Sequence, residues 1–324
     1  MFNHKRTLKT RLAPTPSGFL HLGNGASFVA TWALARAYEG EVLLRIDDLD
    51  AERMRPEYVE DIFRTLDWLG LDWDEGPFSV ADFSQNWSQH LRLDMYEKAL
   101  NDLKKTGNLY ACHCSRKDIR LNSINGLYPN TCRKNRLFDI EKTANYEKNT
   151  AWRIRVEENK IVHFNNFEKT GPLSINSILE EKNDFLNDFH VNLSQIMGDF
   201  IIRQKNGLPS YQLASLMDDV LFNINFIVRG EDLWHSTAAQ IFLAEQLNQT
   251  DFLNTNFWHH PLITDTDGSK LSKSEGAASL LSFREKNNSA VIVVKQAAKW
   301  LGFTHFTGET ALVLVDFIKN EAIY

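Results

Sequence analysis

The sequence has few cysteines and no long apolar run. Three cysteines among 324 residues are too few for a disulfide scaffold, and their clustering at positions 112, 114 and 132 indicates a metal site in a reducing compartment. No stretch reaches the roughly 18 uninterrupted apolar residues of a membrane span. The first ten residues lack the apolar segment of a secretory signal. We therefore expect a cytoplasmic protein without a membrane partner.

An excess of positive charge is also missing, except in one stretch. The chain is 43% hydrophobic and 24% charged, which is typical of globular proteins, and its net charge of −6 argues against indiscriminate nucleic-acid binding. Between Cys112 and Arg136, however, six basic residues face one aspartate, a net charge of +5. These six are Arg116, Lys117, Arg120, Arg133, Lys134 and Arg136. The stretch predicts RNA phosphate contacts, and the alternative is a solvated charged face.

Strand-like and helix-like segments alternate along the chain. A short strand at Thr10–Ala13 is followed by a loop, by apolar residues at helical spacing between Ala26 and Ala37, and by a buried strand at Glu41–Ile46. A second strand and helix are predicted at Asn225–Gly230 and Ser236–Leu247. Because strand, helix and strand in this order form a right-handed crossover, we predict an α/β fold with a parallel sheet.

The alternation breaks between about residues 105 and 137, where Cys, Gly, Pro and Asn cluster. We predict a small inserted module that a bound metal holds together in place of a hydrophobic core. Cys112, Cys114 and Cys132 supply three thiolates, and a closed zinc site needs a fourth ligand, either Tyr128 or His113. Neighbouring side chains of an extended chain point to opposite sides, which disfavours three consecutive ligands and favours Tyr128. Three free buried cysteines are the remaining alternative.

Two separate segments have the composition of phosphate-binding loops. The first runs from Pro14 to Asn24 and opens a predicted helix, whose N-terminus attracts anions. In this loop Gly23 allows a purine or a phosphate to approach the backbone closely, and His21 can donate a hydrogen bond to a phosphate oxygen. The alternative is that His21 only caps an ordinary helix.

The second segment runs from Asp267 to Ser274 and carries Lys270 and Lys273 on a Gly- and Ser-rich loop. Flexible ammonium groups on such a loop suit a triphosphate whose charge shifts during a reaction. Taken alone, the segment also fits a solvated surface loop.

Together, His21-Leu-Gly-Asn24 and Lys270-Leu-Ser-Lys-Ser274 resemble the two signature sequences of class I aminoacyl-tRNA synthetases. The surrounding segments are similar to the glutamyl branch of that family. They are Arg11–Gly18, Arg45–Asp50, Phe200–Arg203, Tyr211–Ala214, Asp218-Asp219 and Val228–Leu233. The resemblance runs in order from about residue 10 to 276. It implies a Rossmann-type class I catalytic domain with an inserted small zinc-binding module.

The resemblance also implies a reaction, in which glutamate and ATP, assisted by Mg²⁺, form glutamyl-adenylate and pyrophosphate. It assigns catalysis to His21, Lys270 and Lys273, and ATP binding to His21, Gly23, Asn24 and Lys273, with His260 to Leu262 lining the nucleotide pocket. Glutamate binding falls to Arg11, Leu12, Ala13, Pro14, Thr15, Asp47, Tyr211 and Arg229. The two arginines suit a substrate with two carboxylates.

One position departs from the family pattern. The family usually has Glu where this chain has Asp47, at the position that holds the substrate amine. The side chain is one methylene shorter, and roughly a tenfold loss of efficiency is the expected cost. A water or a backbone shift would compensate for it, and the alternative is that Asp47 is merely acidic surface.

The length of the chain after Ser274 and the cysteine spacing restrict the resemblance to one subgroup of the glutamyl branch. Only 50 residues follow Ser274, whereas ordinary glutamyl enzymes continue into a helical domain that reads the anticodon. Cys-x-Cys followed by Tyr-x-x-x-Cys resembles the zinc site of the glutamyl-Q tRNA(Asp) synthetases, paralogues that lack this domain. They attach glutamate to the queuosine base in the anticodon of tRNA(Asp). The resemblance thus implies one structural Zn²⁺ on Cys112, Cys114, Tyr128 and Cys132.

We accordingly expect a monomer with ATP, L-glutamate and queuosine-containing tRNA(Asp) as partners, which activates glutamate without tRNA. The predicted organisation is a first half of the catalytic domain (1–104), a zinc-binding module (105–137), a connective region with the second half (138–274), and a short helical C-terminal extension (275–324). Two alternatives stay open. One is a truncated glutamyl-tRNA synthetase that charges a tRNA 3′ end, and the other is a catalytically silent RNA-binding paralogue.

Overall fold

The computed structural model describes residues 7–50, 54–123, 126–134, 140, 149–167, 186–263 and 279–321. Its strands are β1 Lys9–Leu12, β2 Glu41–Leu44, β3 Leu109–Cys112, β4 Ala151–Ile154, β5 Ile161–Phe167, β6 Leu186–Asn192, β7 Phe200–Arg203, β8 Phe226–Gly230 and β9 Asn256–His260. No helix in these ranges is both long enough and apolar enough to span a membrane.

The helices are short apart from a few, and they fall mainly between the strands. They are α1 Leu22–Ala37, α2 Pro56–Leu69, α3 Val80–Asp82, α4 Leu93–Lys105, α5 Arg116–Asn122, α6 Leu193–Ile196, α7 Tyr211–Leu221, α8 Trp234–Gln246, α9 Thr250–Leu253, α10 Leu280–Glu285, α11 Val291–Trp300 and α12 Ala311–Glu321. A π-helical segment at Phe83–Trp87 and 3₁₀ turns at Gln89–Arg92 and Glu231–Leu233 complete the described elements.

The first three elements form the predicted βαβ unit. β1 and β2 pair in parallel, from Lys9 opposite Glu41 to Leu12 opposite Leu44, with α1 between them in the chain. The α1 sequence is rich in alanine and is buried along most of its length, which allows other helices to approach it closely. The prediction of a parallel crossover is therefore confirmed.

The C-terminal helices cover α1. Residues of α11 and α12, among them Val293, Ala297 and Leu314, share one hydrophobic core with α1 and the β1–β2 pair. A Cβ atom on Gly25 would lie 2.8 Å from Leu280 Cδ1, so a larger residue there would force the Leu280 side chain to shift where α1 meets α10. The backbone N–H of Leu280 donates to the carbonyl of Leu20 at 2.8 Å. The start of α10 thus joins the loop that opens α1.

β8 begins beside the start of β1. The N–H of Asn225 donates to the carbonyl of Lys9 at 3.0 Å, and the Lys9 N–H donates to Asn225 Oδ1 at 2.8 Å. β8 pairs in parallel with β9, which also pairs in parallel with β5. The carboxyl ends of β1 and β8 therefore open on the same side as the N-terminus of α1, where open α/β sheets bind ligands.

A second core lies around an antiparallel sheet of order β3-β4-β7. All four residues of β3 are buried, and β3 pairs with β4 from Leu109 opposite Ile154 to Cys112 opposite Ala151. The expectation that no hydrophobic core holds the segment from 105 onwards is therefore wrong for β3. The strand could not be recognised from the sequence, because it is only four residues long and ends at Cys112, the first residue of the cysteine cluster. The domain boundaries at 104, 137 and 274 stay predictions.

Candidate active site

His21 begins α1 and fixes its first turn. Its Nδ1 accepts hydrogen bonds from the N–H groups of Gly23 and Asn24, at 3.1 and 3.4 Å, and Asn24 Oδ1 accepts from the His21 N–H at 3.2 Å. Because Nδ1 accepts, the ring proton is on Nε2. The helix-cap interpretation is thus correct in geometry, and the same ring also lines the main cavity. His21 therefore combines a structural role with a donor at the positive end of the helix dipole.

This cavity, of about 440 Å³, lies between the carboxyl ends of β1 and β8 and the N-terminus of α1. Its volume is in the range of small-molecule sites. It brings together nine of the residues predicted from sequence: Arg11, Ala13, His21, Gly23, Asn24, Tyr211, Arg229, His260 and Leu262. Residues from far-separated parts of the chain thus converge on one space.

The other predicted glutamate-binding residues, all within the described part of the chain, do not line this cavity. Leu12, Pro14 and Asp47 are buried, and Thr15 is exposed. The contacts of Leu12 and Pro14 are made by their backbone. The Leu12 carbonyl accepts from the Arg45 N–H, and the Pro14 carbonyl accepts from the Asp47 N–H, both at 2.9 Å. Lys270 and Lys273 lie outside the described residues.

Arg11 is held by a buried carboxylate. Its Nε donates to Asp219 Oδ1 at 3.2 Å, and its Nη1 donates to the carbonyl of Val228 at 3.2 Å. The same Asp219 oxygen accepts from Arg45 Nη1 at 2.7 Å. All three charged side chains are almost completely buried. Arg11 therefore faces the cavity in a fixed position between β8 and α7.

Asp47 is engaged by Arg45. Arg45 Nε donates to Asp47 Oδ1 at 2.7 Å and its Nη2 donates to Oδ2 at 3.1 Å, a bidentate pair. Burial raises the pKa of Asp47, and the Arg45 charge opposes that rise. At 8% exposure Asp47 is not acidic surface, so that alternative is wrong. Its role toward a substrate amine stays a prediction, and such an amine would share the carboxylate with Arg45.

Arg229 is a buried cation with unused hydrogen-bonding capacity. It is 3% exposed, and its Nη1 donates to Gln240 Oε1 at 2.9 Å. Within the described residues, its Nε and Nη2 have no hydrogen-bond partner. Burial, aided by the nearby charges of Arg11 and Arg45, lowers the pKa of Arg229 to about 10. Because an unpaired buried charge lowers the stability of the folded protein, an anion bound in the cavity would stabilise Arg229.

The opposite side of the cavity is aromatic. The rings of His260 and Trp300 stack with centroids 4.0 Å apart at 16°. His260 Nδ1 donates to the carbonyl of Pro261 at 2.9 Å, so Nε2 accepts from Ser27 Oγ, also at 2.9 Å. Burial lowers the pKa of His260 and keeps the ring neutral. No motif in the sequence pointed to Ser27 or Trp300, since neither carries a recognisable spacing.

The three cysteines lie together with Tyr128. Their sulfur atoms are all within 4.8 Å of one another, and Cys114 and Cys132 are separated by 3.6 Å. The Tyr128 hydroxyl lies 3.4 Å from Cys112 Sγ and 3.7 Å from Cys114 Sγ. In a tetrahedral zinc site with ordinary bond lengths, S···S and S···O separations are about 3.8 and 3.5 Å. The four side chains therefore fit one zinc ion.

His113 does not belong to this group. Its side chain is exposed, and among the described His, Cys, Asp and Glu residues only the three cysteines form the cluster. The His113 carbonyl accepts from Lys205 Nζ at 2.9 Å. Around the cluster, Arg153 stacks 3.7 Å above the Tyr128 ring. Burial opposes ionisation of Cys112, but the hydrogen bonds from Tyr128 and Arg153 lower its pKa overall.

The basic residues between Cys112 and Arg136 lie in two different environments. Arg116, Lys117 and Arg120 are exposed on α5. Arg133 instead donates to Asp199 Oδ1 at 2.7 Å and to the carbonyl of Val156 at 3.0 Å. Arg136 lies outside the described residues. Among the described residues, the exposed basic side chains of this stretch are thus the three of the first group and Lys134.

A family model described as "tRNA synthetases class I (E and Q), catalytic domain" matches residues 7–321. The chain belongs to this family of class I glutamyl- and glutaminyl-tRNA synthetases. The predicted α/β class I catalytic domain is therefore confirmed. The glutamate-tRNA synthetase of Elizabethkingia anophelis shares this fold, with a TM-score of 0.64 and 23% identity over 84% of this chain and 53% of that chain.

Two kinds of relative match within the class I family. Glutamate–tRNA ligase 2 of Syntrophus aciditrophicus is 34% identical over 285 residues, which are 86% of this chain and 54% of that protein. The glutamyl-Q tRNA(Asp) synthetase of Symbiobacterium thermophilum is 35% identical and covered over 84% of its length, and that of Nitratidesulfovibrio vulgaris is 30% identical and covered over 86%. The chain thus spans about half the length of the matching glutamate–tRNA ligases.

Proposed function

We propose that the protein activates glutamate with ATP, without tRNA, and transfers the glutamate to the queuosine base of tRNA(Asp). The observation that carries the first half is Arg229, a buried guanidinium with two unpaired nitrogens in the cavity that also contains Arg11 and the N-terminus of α1. A dicarboxylate amino acid pairs with the two arginines. A triphosphate then lies at the helix N-terminus beside it.

In this mechanism the glutamate α-carboxylate attacks the α-phosphate of ATP, and pyrophosphate leaves. Arg11 and Arg229 orient the amino acid, and the His21 Nε2–H donates to phosphate oxygens. Lys270 and Lys273, assigned by sequence resemblance, neutralise the charge that develops on the leaving group. The stacked rings of His260 and Trp300 provide an aromatic surface against which the purine packs. Mg²⁺ bound with ATP supplies further counter-charge.

Zinc on Cys112, Cys114, Tyr128 and Cys132 would act structurally. With all four positions taken by side chains the site is closed, and the ion ties the chain after β3 to residues 128–132. Burial raises the pKa of Tyr128, so a bound cation is needed to favour its phenolate.

In the transfer step a hydroxyl of the queuosine cyclopentene ring attacks the carbonyl carbon of the adenylate. An ester forms, the acyl–phosphate bond breaks, and AMP leaves. Queuosine as acceptor is supported by Tyr128, which completes the cysteine group in the spacing that resembles the glutamyl-Q proteins. It is also supported by the 84% and 86% coverage of the two relatives with that name.

Charging of a tRNA 3′ end is the second candidate, because glutamate–tRNA ligases match with equal identity, at 33–35%. The catalytically silent alternative is disfavoured by the presence of His21, which lines the cavity, and of Lys270 and Lys273 in the sequence.

The deciding experiment has two steps. Glutamate-dependent ATP–pyrophosphate exchange without RNA tests activation, and aspartate or glutamine serving better than glutamate would overturn the pocket assignment. Transfer of radiolabelled glutamate to tRNA(Asp) with and without queuosine then tests the acceptor. Label on an anticodon-loop fragment supports the proposal, whereas label on the 3′-terminal adenosine contradicts it.

A further inference from the structure

A second cavity, of about 510 Å³, lies between the cysteine cluster and α7. Its wall includes Leu127 and Tyr128 from the metal-binding loop, Met197 at the end of α6, Ile201 on β7 and Gln212 on α7. None of these five residues lines the main cavity. The second cavity is thus a separate space built mainly by the elements around the antiparallel sheet.

Tyr211 connects the two spaces. It is the first residue of α7, it is 38% exposed, and it lines both cavities. The two cavities are therefore neighbours that share this side chain, so a molecule in the second cavity would lie close to the site assigned to glutamate.

The walls of the second cavity have the chemistry of a base-binding site. Leu127, Met197 and Ile201 offer half-buried apolar surface, and the side-chain amide of Gln212 makes no hydrogen bond within the described part of the chain. Arg153, which is 5% exposed, also lines the cavity, and its Nε has no partner there. Single nucleosides are held in this way, by apolar contact on the faces and a few polar groups at the edge.

The surroundings are basic. Ile119 of α5 lines the cavity, and its neighbours Arg116, Lys117 and Arg120 are exposed. Lys205, also exposed, ties the β7–α7 turn to the cysteine cluster through the carbonyl of His113. In a chain of net charge −6, this concentration of cations matches a polyanion approaching the cavity.

We propose that the second cavity binds the nucleoside of the RNA that accepts glutamate. The proposal rests on the proposed function, because it assumes an RNA acceptor for the adenylate. It does not depend on which nucleoside that is. A modified anticodon base and a 3′-terminal adenosine share an aromatic base, a sugar and a flanking phosphate, and the experiment separates them.

Two variants test the cavity from different directions. Met197→Trp fills the space, and Gln212→Leu removes the amide at nearly constant size. Leu312→Trp is the matched control, since Leu312 is 64% exposed on α12, away from the basic residues of α5, and lines neither cavity. We expect Met197→Trp to lower the kcat/KM of glutamate transfer at least roughly tenfold and Gln212→Leu to lower it roughly tenfold, while RNA-free pyrophosphate exchange stays near wild type.

Binding is measured alongside transfer, with a queuosine-containing anticodon stem-loop of tRNA(Asp) and with a CCA-ended acceptor minihelix. Weaker binding of one RNA in both variants, but not in Leu312→Trp, supports the cavity and identifies which of the two nucleosides it binds. If Met197→Trp also loses exchange, it is misfolded and Gln212→Leu decides. Wild-type binding and transfer in the folded variants would overturn the proposal. A wild-type protein without exchange activity whose RNA binding still depends on the cavity would overturn the proposed function alone.

Discussion

At the scale of single residues, the unpaired guanidinium of Arg229 has the most direct consequence. Arg229→Lys keeps the positive charge but loses the planar pair of donors, Nε and Nη2, that is left for a carboxylate. We expect the KM for glutamate to rise roughly 100-fold, because about two charged hydrogen bonds are lost, with a smaller change in kcat. Pyrophosphate exchange at varied glutamate concentration measures both. The exposed Arg64→Lys is the control, and an unchanged KM in Arg229→Lys would remove Arg229 from the glutamate site.

His260 gives a prediction about pH. Burial lowers its pKa, and Asp232 and Glu231 only partly oppose that effect. The unfolded chain therefore binds the proton more readily, so stability is fully present above the ordinary histidine pKa of about 6.5 and is lost as the pH falls below it. We expect the free energy of unfolding to fall less between pH 7 and 5.5 in His260→Gln than in wild type. Denaturant titration at each pH measures this, with exposed His235→Gln as control, and equal slopes would contradict it.

At the scale of elements, the first signature segment is joined to the start of α10. Ser279 forms an antiparallel bridge with His21, and only six positions separate it from Lys273. We expect Lys273→Ala to lower the kcat of exchange by roughly two orders of magnitude, about 2.7 kcal/mol of transition-state stabilisation. The KM for glutamate should change little, because the lysine is assigned to phosphate. A loss confined to that KM would contradict the assignment.

The metal-binding loop can be tested by measuring the zinc content of the purified protein. Purified protein should carry about one zinc per chain, which Cys112→Ser or Cys132→Ser should abolish or weaken. Tyr128→Phe should weaken metal retention, whereas His113→Ala should not, because His113 is exposed and outside the cluster. Atomic absorption after dialysis measures the content. Metal-free wild type purified without chelator would eliminate the site, and the reverse pattern would assign the fourth ligand to His113.

Sequence patterns predicted those elements whose signal is local. The alanine spacing of α1, the flanking strands and the cysteine spacing each depend on a few neighbouring residues, and the structure reproduces them. The partners of the buried charges could not be predicted in this way. Asp219 holds Arg11 across 208 positions, and Gln240 meets Arg229 only because α8 packs beside β8. Trp300 enters the cavity through the packing of α11 on α1, which no motif encodes.

At the scale of the whole molecule, a chain of net negative charge presents a basic face on α5. The sequence predicted two basic groups between Cys112 and Arg136, but Arg133 of the second group is bonded to Asp199 and stabilises the second core. We therefore expect the RNA contacts mainly at Arg116, Lys117 and Arg120, whose side chains are exposed together on α5. This face lies beside the second cavity, so both can contact one RNA.

We expect simultaneous replacement of Arg116, Lys117 and Arg120 by Gln to weaken tRNA binding and glutamate transfer while sparing RNA-free pyrophosphate exchange. Each lost phosphate contact removes about 0.7–0.9 from the slope of log affinity against log salt, so the slope should fall by roughly two to three. Titration of tRNA(Asp) at several salt concentrations measures this. Replacement of the exposed Lys286, Lys295 and Lys299, near the C-terminal helices, is the matched control for net charge. If both triple variants lose the same slope, binding follows total charge and α5 is not the RNA-binding face.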